Sequence, residues 1–191
     1  MKKEVDQIPD LLFHMAQGFY DIAINCAYNV SKDTDITGFQ RIAPGAVNMT
    51  FTAELLLKGL ILLIEKKYPK GHSLKSLFEE LSEIVRKQIE KMYKDYYEKD
   101  RHNKDLGAFK IVVAKENKEK DKKPHADNDT LEQLLTTHDK GFENWRYLHE
   151  INHEGYTYEI DFNSLNCFIK AVVDTINSQP NRQRLFLSKM T

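Results

Sequence analysis

The side chains with most chemistry to offer crowd into one stretch, Phe142-Glu143-Asn144-Trp145-Arg146-Tyr147-Leu148-His149-Glu150-Ile151-Asn152-His153-Glu154. On a continuous helix Arg146, His149, Glu150 and His153 stand at offsets of three, four and seven and project toward one side. Two chemistries fit. His149-Glu150-Ile151-Asn152-His153 matches the zinc-hydrolase pattern H-E-x-x-H, with two imidazoles on a metal and Glu150 as general base. That reading needs a third ligand; the metzincin glycine and histidine are absent downstream, and no motif singles out Asp174 or Glu159 for the place. Alternatively Arg146 and His153, as R-x6-H, supply a bidentate phosphate contact and an acid–base group that titrates near neutral pH. Such a pair suits metal-free cleavage of RNA at a ribose 2′-hydroxyl. A structural reading stands beside both, with Arg146 paired to Glu150 or Glu54 and His149 packed at a core edge.

Other polar residues stand out upstream. Glu54 and Lys58 form an i,i+4 pair inside a very apolar stretch, expected to be structural. His72 precedes Ser73 and reads as a turn or capping residue. His138 and Trp145 fall on an apolar stripe and read as packed, Trp145 as a core anchor.

Periodicity supplies the elements that must position these groups. Residues 8–30 carry one apolar face including Leu11, Leu12, Met15, Phe19 and Ile22. A second helix is expected from about Pro44 to Lys67, since proline marks a boundary. Its part from Leu55 to Ile64 is apolar nearly all round, as in a helix surrounded by others. Ser73 reads as the cap of a third helix reaching Tyr97, with a stripe that includes Leu81, Ile84 and Val85. Asp129 with Glu132 reads as a capping box opening a fourth helix that Gly155 ends. A fifth covers residues 163–178. Phe109 to Ala114 reads as one short strand and Tyr156 to Asp161 as extended. The expected architecture is an all-α, up-and-down bundle of four to five helices over residues 1–180. A long charged loop insertion, residues 98–128, separates helices three and four, and a tail follows at 181–191. Leu185-Phe186-Leu187 in that tail reads as docking on the bundle or on a partner.

Composition narrows the classes. The 191 residues are 41% hydrophobic and 30% charged, with 28 Lys+Arg against 29 Asp+Glu, so no global basic field points to nucleic acid or membrane. A local excess, 13 Lys/Arg against 8 Asp/Glu over residues 86–123, fits a solvated face and loop. Cys26 and Cys167 lie in helix-periodic stretches, which fits a reducing cytoplasm rather than a disulfide framework. No signal peptide is read, because Asp10, His14 and Asp21 cut the first apolar stretch. The run from Leu55 to Ile64 is short for a bilayer span and contains Lys58, so no membrane role is expected.

Three segments resemble the HEPN superfamily (higher eukaryotes and prokaryotes nucleotide-binding domain). Residues 48–58 look like its second helix, with Glu54 and Lys58 as E-x-x-x-K. Gly71-His72-Ser73-Leu74-Lys75-Ser76-Leu77-Phe78 is similar to the G-H-(D/S)-L-x-x-L-F start of its third helix. Trp145-Arg146-Tyr147-Leu148-His149-Glu150 looks like its R-Y-x-x-E block. The resemblance implies a helical bundle, often dimeric, with R-x4-6-H as the centre of a metal-independent endoribonuclease. It therefore implies that Arg146 binds the scissile phosphate, that His153 is the acid/base, and that no metal or other cofactor takes part. Tyr147 departs from the polar residue that usually follows the arginine. Tyr147, His149, Glu150, Glu54, Lys58 and His72 are the auxiliary or binding candidates. Partners implied are RNA or a nucleotide, a second copy of the chain, and an antitoxin or other partner protein. Bacterial defence or toxin–antitoxin use is implied in the same way, as is the alternative of a non-catalytic module binding a nucleotide or protein.

Overall fold

A computed structural model describes residues 8–32, 36–100, 105–112, 128–146, 157–180 and 185. Helix α1 spans Ile8–Lys32, α2 Ile36–Ile64, α3 Leu74–Glu79 and α4 Glu83–Asp100. Strand β1, Ala108–Val112, is followed by α5, Leu131–Thr137, and α6, Gly141–Arg146. Strand β2, Thr157–Asp161, leads directly into α7, Phe162–Asn177. The fold is all-α, as expected, with one small antiparallel ribbon that pairs Phe109 with Ile160 and Ile111 with Tyr158.

The most apolar helix sits at the centre. α2 packs against α1, α3, α6 and α7, burying Ala53, Leu55, Leu56, Leu57, Leu60 and Ile61. By length and composition its stretch Gly38–Ile64 could cross a bilayer, and here it is the hub of the bundle. Gly59 sets the approach of α1, since a Cβ there would fall 2.3 Å from Phe13 Cε1. α7 carries the residues expected of it, with Leu165, Phe168, Ile169, Val172, Val173 and Ile176 all buried.

Several expectations need correction. α2 begins eight residues before Pro44, which lies inside the helix. Ile42, Ala46 and Met49 are buried on either side of it, and that packing outweighs the roughly 3 kcal/mol an interior proline costs. On α1 only one side is buried. Phe13, Ala16, Tyr20, Ala23 and Ala27 face inward, while Leu11, Met15 and Ile22 are 60%, 42% and 51% exposed.

The third helix is broken at residues 80–82. Leu81 N–H closes on Phe78 O at 3.2 Å and α4 restarts with Arg86 N–H on Ser82 O at 3.0 Å, while Glu65 Oε1 takes the Ser82 N–H at 2.9 Å. The break rotates the stripe, so Val85 and Ile89 are buried and Ile84 is 81% exposed. The fourth helix is also divided. Its cap is Thr130 rather than Asp129, in a capping box with Gln133, because that register buries Leu131, Leu134 and Leu135 together. Helix α5 then stops at His138 and α6 starts afresh at Gly141. The expected end at Gly155 and the charged run 115–123 lie outside the described residues.

The tail docks on its own bundle at one point. Leu185 is 7% exposed; its N–H donates to Asn177 Oδ1 at 2.8 Å and its carbonyl accepts from Asn177 Nδ2 at 3.1 Å.

Candidate functional site

Phe51, Glu54 and Lys58 follow one another at helical spacing on α2, so they share a face. Glu54 is 1% exposed. Its Oε1 accepts from Lys58 Nζ at 2.8 Å, and again from His72 Nδ1 at 2.9 Å. Its Oε2 is buried with no hydrogen-bond partner among the described residues. Leaving such an oxygen unmatched costs about 1–3 kcal/mol. The Lys58 side chain is 19% exposed and that of His72 45%. The triad therefore runs from a buried carboxylate to a cationic rim.

The turn before α3 brings His72 there. Gly71 adopts φ +80, a left-handed conformation that suits glycine. Ser73 caps α3 by accepting the Ser76 N–H and donates its hydroxyl to Asp139 Oδ1 at 2.5 Å. Asp139 also takes the Lys75 N–H at 3.0 Å, and its carbonyl takes the Leu74 N–H at 3.0 Å. These bonds fasten the His72 turn to the residues that launch α6.

Helix α6 supplies the other wall. A Cβ on Gly141 would fall 2.5 Å from Thr50 Cγ2, so glycine permits α6 to lie directly on α2. Phe142 then stacks on Phe51 at 4.7 Å and 25°, and Phe51 meets Phe19 of α1 edge-on at 4.8 Å. All three rings are partly buried. The His72 ring lies 5.9 Å from the Phe142 ring. The Arg146 guanidinium lies 5.7 Å above that same ring. A row of aromatic rings is thus flanked by Lys58, His72 and exposed Arg146, an arrangement able to receive a phosphate beside an unpaired base.

Of the residues singled out from sequence, Glu54, Lys58, His72 and Arg146 meet around this surface. Glu54 is engaged by Lys58 and His72, not by Arg146 as one structural reading had it. Tyr147, His149, Glu150 and His153 lie outside the described residues, so both the R-x6-H and the H-E-x-x-H patterns do too. Among the described residues no three His, Cys, Asp or Glu side chains are grouped to hold a metal. Phe19, Phe51, Phe142 and Asp139 were not expected at a site; they come from separate segments, and nothing in their local sequence separates them from core or turn residues.

His138 and Trp145 are structural, as read. Trp145 is 4% exposed and packs on Tyr158 at 5.9 Å. His138 Nδ1–H donates to Leu134 O at 3.0 Å, and its Nε2 accepts the Asp161 N–H at 3.1 Å. Those two bonds fix the neutral tautomer, and burial holds its pKa below the ordinary value.

A family model for the HEPN domain matches residues 45–140, while no curated protein and no solved structure matches. The matched span contains Glu54, Lys58 and His72 and stops short of Phe142 and Arg146. Because it covers half of the chain, this protein belongs to the HEPN domain family.

Proposed function

We propose that this HEPN protein cuts RNA without a metal, as an effector of the defence or toxin–antitoxin kind. The observation that carries the reading is the convergence of Arg146 and His72 on the Phe142 end of the Phe19–Phe51–Phe142 row, with Lys58 joined to His72 through Glu54. Guanidinium and ammonium groups neutralise phosphates, and aromatic faces accept unpaired bases. Arg146 holds the scissile phosphate and stabilises the charge that develops on it. His153 serves as acid/base on sequence grounds. The use in defence rests on the family resemblance alone.

The working unit is a homodimer in the cytoplasm. Leu11, Met15 and Ile22 form an exposed apolar stripe on α1. Phe19, on the same face, continues it to Phe51 and the site. Both cysteines are free thiols, in keeping with a reducing compartment.

A second reading, a non-catalytic module that binds a nucleotide or a partner protein, draws on the family match ending ahead of Arg146. One experiment separates the two. Purified protein is incubated with RNA in excess EDTA beside Arg146→Ala and His153→Ala, and solution mass is measured. Cleavage by the wild type alone, from a dimer, is expected. Intact RNA at high protein, with tight binding of a nucleotide, establishes the module instead.

A further inference from the structure

We propose that His72, oriented by Glu54, is an acid–base residue of this site; the inference rests on the ribonuclease reading above. His72 spends Nδ1 on the Glu54 carboxylate at 2.9 Å. That bond fixes the proton on Nδ1 and leaves Nε2 as the acceptor in the neutral ring. Nε2 has no hydrogen-bond partner among the described residues, and the side chain is 45% exposed. The imidazole shares the Phe142 ring with the Arg146 guanidinium, at 5.9 Å and 5.7 Å. A proton acceptor and a phosphate-binding cation therefore border one surface.

A capping role does not account for Glu54. A turn histidine is satisfied by a backbone carbonyl, as His138 is by Leu134. Instead α2 buries a carboxylate in its most apolar stretch, with one oxygen unpartnered. Replacing the Glu54–Lys58 pair together by apolar residues of similar volume would be about neutral or stabilising. Retained buried charge that orients a half-open imidazole is the arrangement found where histidines move protons. Among the described residues, His72 bonds Glu54, Lys58 shares that carboxylate, Arg146 shares the Phe142 ring, and Asp139 holds the turn through Ser73 and Lys75.

The step balances without a metal. Nε2 takes the proton of a ribose 2′-hydroxyl, and the 2′ oxygen forms a bond to phosphorus. The bond from phosphorus to the 5′ oxygen breaks, and that oxygen leaves with a proton from a second acid, for which His153 is the sequence candidate. One proton is taken and one given, leaving a 2′,3′-cyclic phosphate and a 5′-hydroxyl. Arg146 neutralises the non-bridging oxygens throughout.

The test measures cleavage of a single-stranded RNA oligonucleotide in EDTA across a range of pH, with melting and RNA binding recorded for each variant. His72→Ala is expected to slow cleavage by about 10²–10⁴-fold, to remove one limb of the pH–rate profile, and to leave the chain folded, with cleavage lost far beyond any loss of RNA binding. Glu54→Gln, which keeps an acceptor oxygen for His72 Nδ1–H, is expected to retain binding and part of the cleavage rate. If Glu54→Gln does not fold, His72→Ala still decides, since it alters a half-open turn. Wild-type cleavage with an inactive Arg146→Ala and an unimpaired His72→Ala overturns the His72 assignment and spares the ribonuclease reading. RNA left intact by the wild type overturns both.

Discussion

His138 is enclosed at 1% exposure and uses both ring nitrogens on backbone groups of two different elements. His72 is half open and uses one nitrogen on a buried carboxylate. Around His138 the polar groups form a network, with Asn128 Oδ1 buried and without a partner among the described residues. Asp161 Oδ1 takes the Ser164 N–H at 2.9 Å, its Oδ2 takes Asn128 Nδ2 at 2.9 Å, and Tyr93 hydroxyl donates to Asn128 O at 2.6 Å. Around Glu54 one oxygen is left over. The first region joins β2 and α7 to the bundle. The second differs in its histidine: His72 Nε2 has no hydrogen-bond partner among the described residues and the side chain is 45% exposed, as expected where polar groups are kept for a ligand.

The sharpest break of that contrast is His138→Ala. It leaves the Asp161 N–H unmatched and opens a cavity, while Leu134 O keeps the backbone N–H of residue 138, so stability should fall by about 3 kcal/mol. His72→Ala removes one of the two hydrogen bonds on buried Glu54 Oε1 from a half-exposed ring and should lose about 1–1.5 kcal/mol, and urea denaturation of both variants makes the comparison. Equal losses would erase the distinction between the two histidines. Next, Lys58→Met removes one of two donors to a buried carboxylate. A loss of about 2 kcal/mol is expected, short of the full value for a buried pair because Lys58 is partly exposed. Gly141→Ala pushes a Cβ into Thr50, and a loss of about 1–2 kcal/mol is expected, with RNA cleavage falling as α6 shifts from the site. Unchanged melting and cleavage in that variant would show that α6 does not need its close seat.

The smallest effect is a pH dependence. Burial lowers the folded pKa of His138, whereas the unfolded chain has about 6.5. Below about 6.5 the unfolded state binds the extra proton, so this contribution is present at neutral pH and is lost as pH falls through that value. The slope is at most about 1.4 kcal/mol per pH unit. Melting from pH 7.5 down to about 5.5 should show it in the wild type, and His138→Gln should flatten it.

Much of the bundle is legible in the residues. α7 reads directly because its stripe is long and buried nearly all round, and Ser73 announces α3 by its side chain. The break at residues 80–82 is hidden, since Leu81, Ile84 and Val85 satisfy one uninterrupted helical period and only tertiary packing shows that Ile84 lies outside. Asp129/Glu132 and Thr130/Gln133 are two capping boxes one residue apart, and burial of Leu131 decides between them. For the site, Glu54, Lys58, His72 and Arg146 can be named from motif and resemblance. Their meeting cannot, because it depends on Gly141 seating α6 and on Asp139 tying two turns 66 residues apart in sequence. The aromatic row is invisible for a related reason: Phe19, Phe51 and Phe142 belong to three helices and each alone looks like core.

The Glu54–Lys58 pair bears also on how the nascent chain is sorted. A translocon reads segments by apolarity, and α2 has the length and composition of one it could insert. A charged side chain near mid-helix, here Glu54, raises the apparent insertion free energy by about 2.5–3.5 kcal/mol, and the Lys58 ammonium nearer the helix end adds to the penalty. The two residues that shape the surface site thereby also raise the cost of placing the hub helix in lipid.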